Sequence, residues 1–437
     1  MQRTKIAIAI AVGLVTGSAF AITPVGQIAI SSGASASKGN FKLALAIRCP
    51  GQLGEFIGGN ANISTYVCAP AASFANANAP TAAEYNAAGS VPFTGTAIAE
   101  VRLNVSGGSF TSACLTAGWP AATACPAPDL YRDPAAGINT AAPAGSVIVG
   151  GLTDVEPLGF LSSVRAGISL AGTTTQTASF GQTFGVAVSN DLYAAMFANQ
   201  FAQLGAGCAV TNTERPECVP VIGRAQMATI MSNDDQNAAY TNGAQFLTPL
   251  PGPQVPAASV LKYLRRVDTS GTQAVAQQYF LGNVCTTGTA RGVVPQPTVS
   301  PATIGALMSV FALGGTGDVR NQLILPGFAI GVMSGENNQN QNWKWLRVGG
   351  MNMAQSAQPA QAGVTFTNTR TALDGQYDFW FQSRIIRPNT PAAAGFWTSV
   401  NTGFGAVPVN TTVGLFRTNE TGFARASTGN CPVIISN

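Results

Sequence analysis

Three times along this chain a strand pattern gives way to a short turn of serine, threonine and glycine, and then to a helical pattern. The stretches are QIAISSGASASKGNFKLALAIRC, AIAEVRLNVSGGSFTSACLTAG and LRRVDTSGTQAVAQQY. A strand that runs directly into a helix calls for α/β units with parallel pairing, because a parallel partner is reached only by a crossover. AGSVIVGGLTDVEPL adds an apolar strand ending on Gly-Gly and Asp154, and TFGVAVSNDLYAAMFANQFAQ a strand crossing into a helix. VIGRAQMATIMS spaces Met227, Ile230 and Met231 as a helix does, and LPGFAIGVMSG is a Pro-Gly turn entering a strand. GQYDFWFQSRII alternates apolar and polar residues, the pattern of a strand with one wet face. Stretches rich in Ala, Pro, Asn and Gly at 69–90, 119–145 and 286–303 read as surface insertions, since the same patterning resumes on either side.

The first residues, MQRTKIAIAIAVGLVTGSAFA, have a basic start, an apolar centre and small residues at Ala19 and Ala21. They read as a secretory signal peptide over residues 1–21, cut after Ala21. No later stretch is long enough to span a bilayer, so the mature chain is expected to be exported without a transmembrane segment. Losing Arg3 and Lys5 leaves 20 cations against 18 anions, a net charge of +2 that argues against a nucleic-acid or polybasic membrane role. At about 100–200 residues per domain, the mature length points to two or three domains.

All eight cysteines fall after the signal segment, and export permits disulfides. Cys49/Cys68, Cys114/Cys125 and Cys208/Cys218 look like local pairs, which would leave Cys285/Cys431, although sequence does not fix the connectivity. Histidine is absent, so a Ser-His-Asp triad, a Cys-His pair and a His-ligated metal are excluded. A hydrolase would have to work with carboxylates alone, and no close acidic cluster stands out. The expectation is a binding protein without a cofactor or a metal, not an enzyme.

In LRRVDTSGTQAVAQQY, Ser270 or Thr272 can cap a helix beginning near Gln273, with Val275/Tyr279 and Ala276/Phe280 as i,i+4 pairs. The N–H groups of a first helical turn lack intrahelical acceptors and carry the positive end of the dipole. Gly271 lets an anion approach the backbone, Arg266 offers a forked pair of donors, and Asp268 is close enough to orient that guanidinium. The plain alternative is a capped helix beside a surface Arg–Asp pair. SSGASAS and NVSGGSF are further hydroxyl/Gly turns between a strand and a helix, and helix starts that converge on one point make an anion site with few charges.

With these stretches in order, the chain resembles the phosphate-binding protein of bacterial phosphate ABC transporters, a type II periplasmic substrate-binding protein. RRVDTSGT resembles that family's Arg-x-Asp-Gly-Ser-Gly-Thr signature, with Thr269 in place of the glycine. The resemblance implies Arg266 as the anion clamp, Asp268 as its orienting acid, and Ser270, Gly271 and Thr272 as hydroxyl and backbone donors. SSGASAS resembles the first Gly-Ala turn, implying a hydroxyl from Ser35 and a backbone donor at Ala36, where the family's aromatic is missing. NVSGGSF resembles the second Ser-Gly turn, implying Ser106, with Ser109 as its rival, and VGGLTDVEPL implies Asp154 as the anion-facing carboxylate. LGGTGDVRNQL and LPGFAIGVMSG resemble the later Gly-rich segment and the returning strand, so the similarity runs in patches over residues 27–347.

The implied fold is α/β and two-lobed, each lobe a mixed, mainly parallel sheet flanked by helices, with the ligand cleft between the lobes. Residues 22–184 with 346–437 would form one lobe and 185–345 the other. The implied function is an exported, periplasmic or cell-surface receptor for inorganic phosphate or a similar oxyanion, serving an ABC permease. A carboxylate facing the anion repels it unless the anion brings a proton, so Asp154 would admit phosphate or arsenate and reject sulfate. Charged residues make up only 9% and the loops are long, features that suit a secreted or surface structural or adhesive protein on the same fold. That is the second reading.

Overall fold

The structure is a computed structural model describing residues 26–59, 62–120, 125, 130–204, 208, 218–233, 238–248, 255–282, 292–337, 342–349, 372, 377–407, 415–417, 423–425 and 434–436. The expected signal segment, Cys285 and Cys431 lie outside the described residues.

Among the described residues thirteen strands share one mixed sheet. In chain order they are β1 (Gln27–Ser32), β2 (Gln52–Ile57), β3 (Ile63–Ala69), β4 (Ile98–Asn104), β5 (Val147–Thr153), β6 (Thr173–Ser189) and β7 (Leu261–Arg266). They continue with β8 (Ala302–Ile304), β9 (Met308–Leu313), β10 (Phe328–Ser334), β11 (Trp343–Trp345), β12 (Trp380–Pro388) and β13 (Leu415–Arg417). The order across the sheet is β8-β9-β7-β10-β6-β12-β5-β1-β4-β3-β2, with β11 and β13 also paired to β6. Within it lie two parallel triplets, β4-β1-β5 and β9-β7-β10. Antiparallel β6 and β12 stand between them.

The expected separate sheet for each lobe gives way here to a continuous one. The reason is the length of β6: its 17 residues extend roughly 55 Å at about 3.3 Å per residue, enough to serve both triplets. It pairs with β12 from Thr173 to Thr183 and with β10 from Phe184 to Val188.

The strand–turn–helix units form where the hydroxyl/Gly turns stand. Helix α1 (Lys38–Arg48) follows β1, and α2 (Thr111–Thr116) follows the turn after β4. Helix α3 (Asn190–Leu204) follows β6, while α4 (Gly271–Ala276) follows β7 and continues as a π turn to Leu281. Helix α5 (Thr316–Leu323) follows β9, and α6 (Pro391–Ala406) follows β12. Two of these starts have a side-chain cap. Ser270 caps α4 by accepting from the Gln273 amide, and Thr390 caps α6 in the same way with Pro391 at the first helical position. Gly282, in the left-handed region at φ 63°, ends the π turn.

Helices α1 and α6 cover the β4-β1-β5 triplet. Phe41 meets Phe396 and Trp397 there at ring distances of 6.4 and 5.7 Å. Gly403 of α6 comes so close that a Cβ would stand 2.6 Å from the Ala44 carbonyl oxygen of α1. The larger core fills the other half with Val186, Leu192, Leu264, Val275 and Ile330. It also takes in Phe110, Val155 and Phe160, which come from beyond the ends of β4 and β5, so the two halves pack directly together. Trp343 and Trp345 are buried edge-to-face at 5.0 Å and are part of the core.

Cys49–Cys68, Cys114–Cys125 and Cys208–Cys218 are disulfides. The 69–90 insertion carries a short helix, Ala82–Ala88, closed by a Thr81/Glu84 capping box, and the 119–145 insertion carries a hairpin of Tyr131–Asp133 with Ile138–Thr140. Among the described residues no helix is long and apolar enough to cross a membrane.

Candidate functional site

The carboxyl ends of both parallel triplets point to the same region, the place where open α/β sheets present their ligand groups. Asp154 follows β5, Ser109 lies in the turn after β4, Arg266 ends β7, and Ser270 to Thr272 open α4. Direct contacts join Asp154, Ser109 and the start of α4, and the Arg266 amide donates to Gln273 Oε1 of α4 at 3.0 Å. Ser109 Oγ donates to Asp154 Oδ2 at 3.0 Å, and the Phe110 amide donates to the Thr269 carbonyl at 3.0 Å. A Cβ on Gly271 would lie 2.3 Å from both Asp154 Oδ2 and Ser109 Oγ, so glycine is what lets this helix start reach the carboxylate. A Cβ on Gly108, at φ +85°, would lie 2.7 Å from the Thr269 carbonyl oxygen, so glycine also lets the second turn approach the start of α4.

Asp154 is 3% exposed, and its Oδ1 has no hydrogen-bond partner among the described residues. Burial pushes its carboxyl up to about 6, opposed by the Ser109 hydrogen bond and the Arg266 charge. Arg266 is also 3% exposed. Its Nε donates to the Leu313 carbonyl at 3.2 Å, Nη1 to Thr316 Oγ1 at 3.0 Å and Nη2 to the Gly314 carbonyl at 2.8 Å. A guanidinium has five N–H donors, so two are left without an acceptor among the described residues, and no carboxylate pairs with it within 4.0 Å. Burial pulls its pKa down to about 10 against the opposing charges of Asp154, Asp318 and Glu336. A buried cation held only by neutral acceptors, beside a carboxylate oxygen with no donor, is an arrangement that a protonated anion would complete.

The other expected residues fall in different places. Ser270, Gly271 and Thr272 are buried at the start of α4, in contact with this cluster through Gly271. Ser106 is set apart: it is exposed, and its hydroxyl donates to Asn104 Oδ1 at 2.6 Å, closing its own turn. The serine at Asp154 is its rival, Ser109.

Asp268 pairs with Arg265 and not with Arg266, which corrects the expected orienting role. Successive strand residues point to opposite faces, so Arg265 and Arg266 diverge and Asp268 falls on the side of Arg265. Arg265 Nη1 also donates to the Val294 carbonyl at 2.7 Å.

Ser35 is half-buried and Ala36 buried at the end of β1, beside β5 through the Ala34 amide bonded to Leu152 at 2.8 Å. No hydrogen bond joins either to Asp154. The more telling group there is Ser37, the N-cap of α1, whose buried Oγ has no partner among the described residues and makes no capping bond. Sequence reasoning passed over it for Ser35, yet its place directly before the amphipathic run was the available signal.

Glu336 was also missed. It stands two residues past β10, half-buried, and accepts from Ser334 Oγ at 2.7 Å and Asn337 Nδ2 at 3.1 Å on Oε1 and from Gln182 Nε2 on Oε2. Burial pushes its carboxyl up to about 7; the Ser334 bond and the Arg266 charge pull it down, while Asp154 adds to the rise. Among the described residues no group of three or more His, Cys, Asp or Glu could hold a metal ion.

No family model matches the chain, and no curated protein matches it.

Proposed function

We propose that this chain is an exported receptor for a protonated tetrahedral oxyanion, phosphate above all. The anion binds where the carboxyl ends of the two parallel triplets meet. Arg266 supplies its two uncommitted N–H donors, the first turn of α4 supplies backbone and hydroxyl donors, and Ser37 adds a hydroxyl from α1. Asp154 Oδ1 accepts the proton that the anion carries. One observation carries this reading: among the described residues Asp154 Oδ1 is buried without a donor, while nearby buried Arg266 has only neutral acceptors. Phosphate satisfies both groups at once; an anion without a proton satisfies only the arginine.

An anion held by groups from both triplets would join one half of the continuous sheet to the other. Delivery to an ABC permease follows as the corresponding role in uptake.

Isothermal titration at pH 7.5 tests the proposal. Phosphate and arsenate bind saturably and sulfate does not, and both Arg266→Ala and Asp154→Ala abolish the phosphate signal. Absence of phosphate binding at millimolar concentration overturns the reading.

A further inference from the structure

Ser109 has one hydroxyl hydrogen to give, and it gives it to Asp154 Oδ2 at 3.0 Å. Both residues are buried, Ser109 at 2% and Asp154 at 3% exposure, so bulk water does not compete for the bond. The serine is fixed from one side by the start of α2, where its carbonyl accepts from the Ser112 hydroxyl at 2.8 Å and the Ser112 amide at 3.3 Å. From the other side α4 closes on it. The Phe110 amide holds the Thr269 carbonyl, and a Cβ on Gly271 would lie 2.3 Å from both Ser109 Oγ and Asp154 Oδ2.

The Asp154 carboxylate is therefore asymmetric: Oδ2 has a donor, and Oδ1 has none among the described residues. An ionised carboxylate only accepts hydrogen bonds, whereas a protonated one also donates. A donor aimed at Oδ2 favours the ionised form against the burial that favours the neutral one. The charged groups around Asp154 come from three directions. Arg266 at the end of β7 attracts its charge, and Glu336 beyond β10 carries a charge of the same sign. Glu156, two residues on, is paired with Arg384 of β12 at 3.5 Å. Helices α2 and α4, packed directly against the carboxylate, contribute no charged side chain. Among the described residues Ser109 alone hydrogen-bonds the carboxylate.

We infer that Ser109 is a specificity-determining positioning residue: by donating to Asp154 Oδ2 it keeps the carboxylate in its accepting form, and with it the exclusion of anions that carry no proton. The inference rests on the oxyanion reading above. Ser109 acts through Asp154, so its hydroxyl governs the choice between phosphate and sulfate. Without it the carboxyl stays protonated to higher pH, and a protonated carboxyl donates to a sulfate oxygen.

The test is calorimetric titration of phosphate and of sulfate from pH 5 to pH 8.5 on wild type, Ser109→Ala, Ser109→Cys and Ser109→Thr. In wild type, sulfate binds only at the acid end of the range. In Ser109→Ala the midpoint of the sulfate profile moves up by about one pH unit or more, the worth of one hydrogen bond to a buried charge, while phosphate still binds. At pH 7.5 sulfate affinity rises roughly tenfold over wild type. Ser109→Cys, which keeps the shape but donates weakly, moves the profile in the same direction. Ser109→Thr, which keeps the hydroxyl, restores it. A sulfate profile unchanged in the alanine and cysteine variants overturns the role of Ser109 and leaves the oxyanion reading standing. So does a threonine variant displaced as far as alanine, or an alanine variant that loses phosphate as well. If Ser109→Ala does not fold, Ser109→Cys decides. No phosphate binding by wild type at any of these pH values overturns both readings.

Discussion

Asp154 is the residue on which the anion site turns, and its burial has a consequence for stability. In the unfolded chain its carboxyl titrates near its ordinary 3.8, whereas burial in the fold raises it to about 6. A raised acid favours the fold while it is protonated, so this contribution is fully present below about pH 4 and is lost as pH rises through about 6. The loss by pH 8 is on the order of 3 kcal/mol. Asp154→Asn removes the charge and keeps the shape. In phosphate-free buffer its melting temperature should therefore exceed wild type at pH 8 and approach it at pH 5. A variant less stable than wild type at pH 8 would show that the ionised carboxylate has a partner in the empty site. The same titration bears on selectivity, since a protonated carboxyl is itself a donor. Rejection of sulfate at pH 7.5 should weaken below about pH 6.

At the scale of elements, the site depends on helix starts brought together by glycine. At Gly271 an added Cβ would overlap Asp154 Oδ2 and Ser109 Oγ at 2.3 Å and crowd Asp154 Cβ at 2.8 Å. Gly271→Ala has to push the start of α4 away from the carboxylate, at a cost of about 1–3 kcal/mol. Phosphate affinity should fall at least a hundredfold, read by titration, with stability read by urea denaturation; affinity within threefold of wild type would place the anion elsewhere.

This is also the scale at which the sequence was most legible. The units built on Ser32, Asn104 and Arg266 could be read because strand alternation, a hydroxyl/Gly turn and helical spacing are all local signals. What failed depended on where side chains point. Asp268 was assigned to the wrong arginine because two adjacent strand residues face opposite ways. Ser106 was preferred to Ser109 although only the second faces β5. Glu336 follows its strand in a Ser-Gly-Glu turn with no helical pattern behind it, so nothing local marked it.

For the whole molecule, the informative feature is β6. A strand of 17 residues that pairs with β12 along one part and with β10 along another is a long-range arrangement, and no local periodicity encodes its register. It binds the two parallel triplets into one sheet while Phe110 and Phe160, 4.9 Å apart, help seal the halves beyond the strand ends. An anion held by groups from both triplets should stabilise the molecule as one cooperative unit. At a hundredfold excess of phosphate over Kd the gain is about 2.7 kcal/mol. Calorimetric scans should show a single transition moved upward by phosphate and unmoved by sulfate at pH 7.5. Two transitions, of which phosphate moves one, would mean that a single half holds the ligand.

The most direct measurement is a crystal structure of the protein grown with phosphate at pH 7.5. It should show one tetrahedral anion within hydrogen-bond distance of both the Arg266 guanidinium and Asp154 Oδ1, with the α4 amides completing its shell. An anion bound elsewhere, or Asp154 turned away from a phosphate that Arg266 holds, would contradict the account.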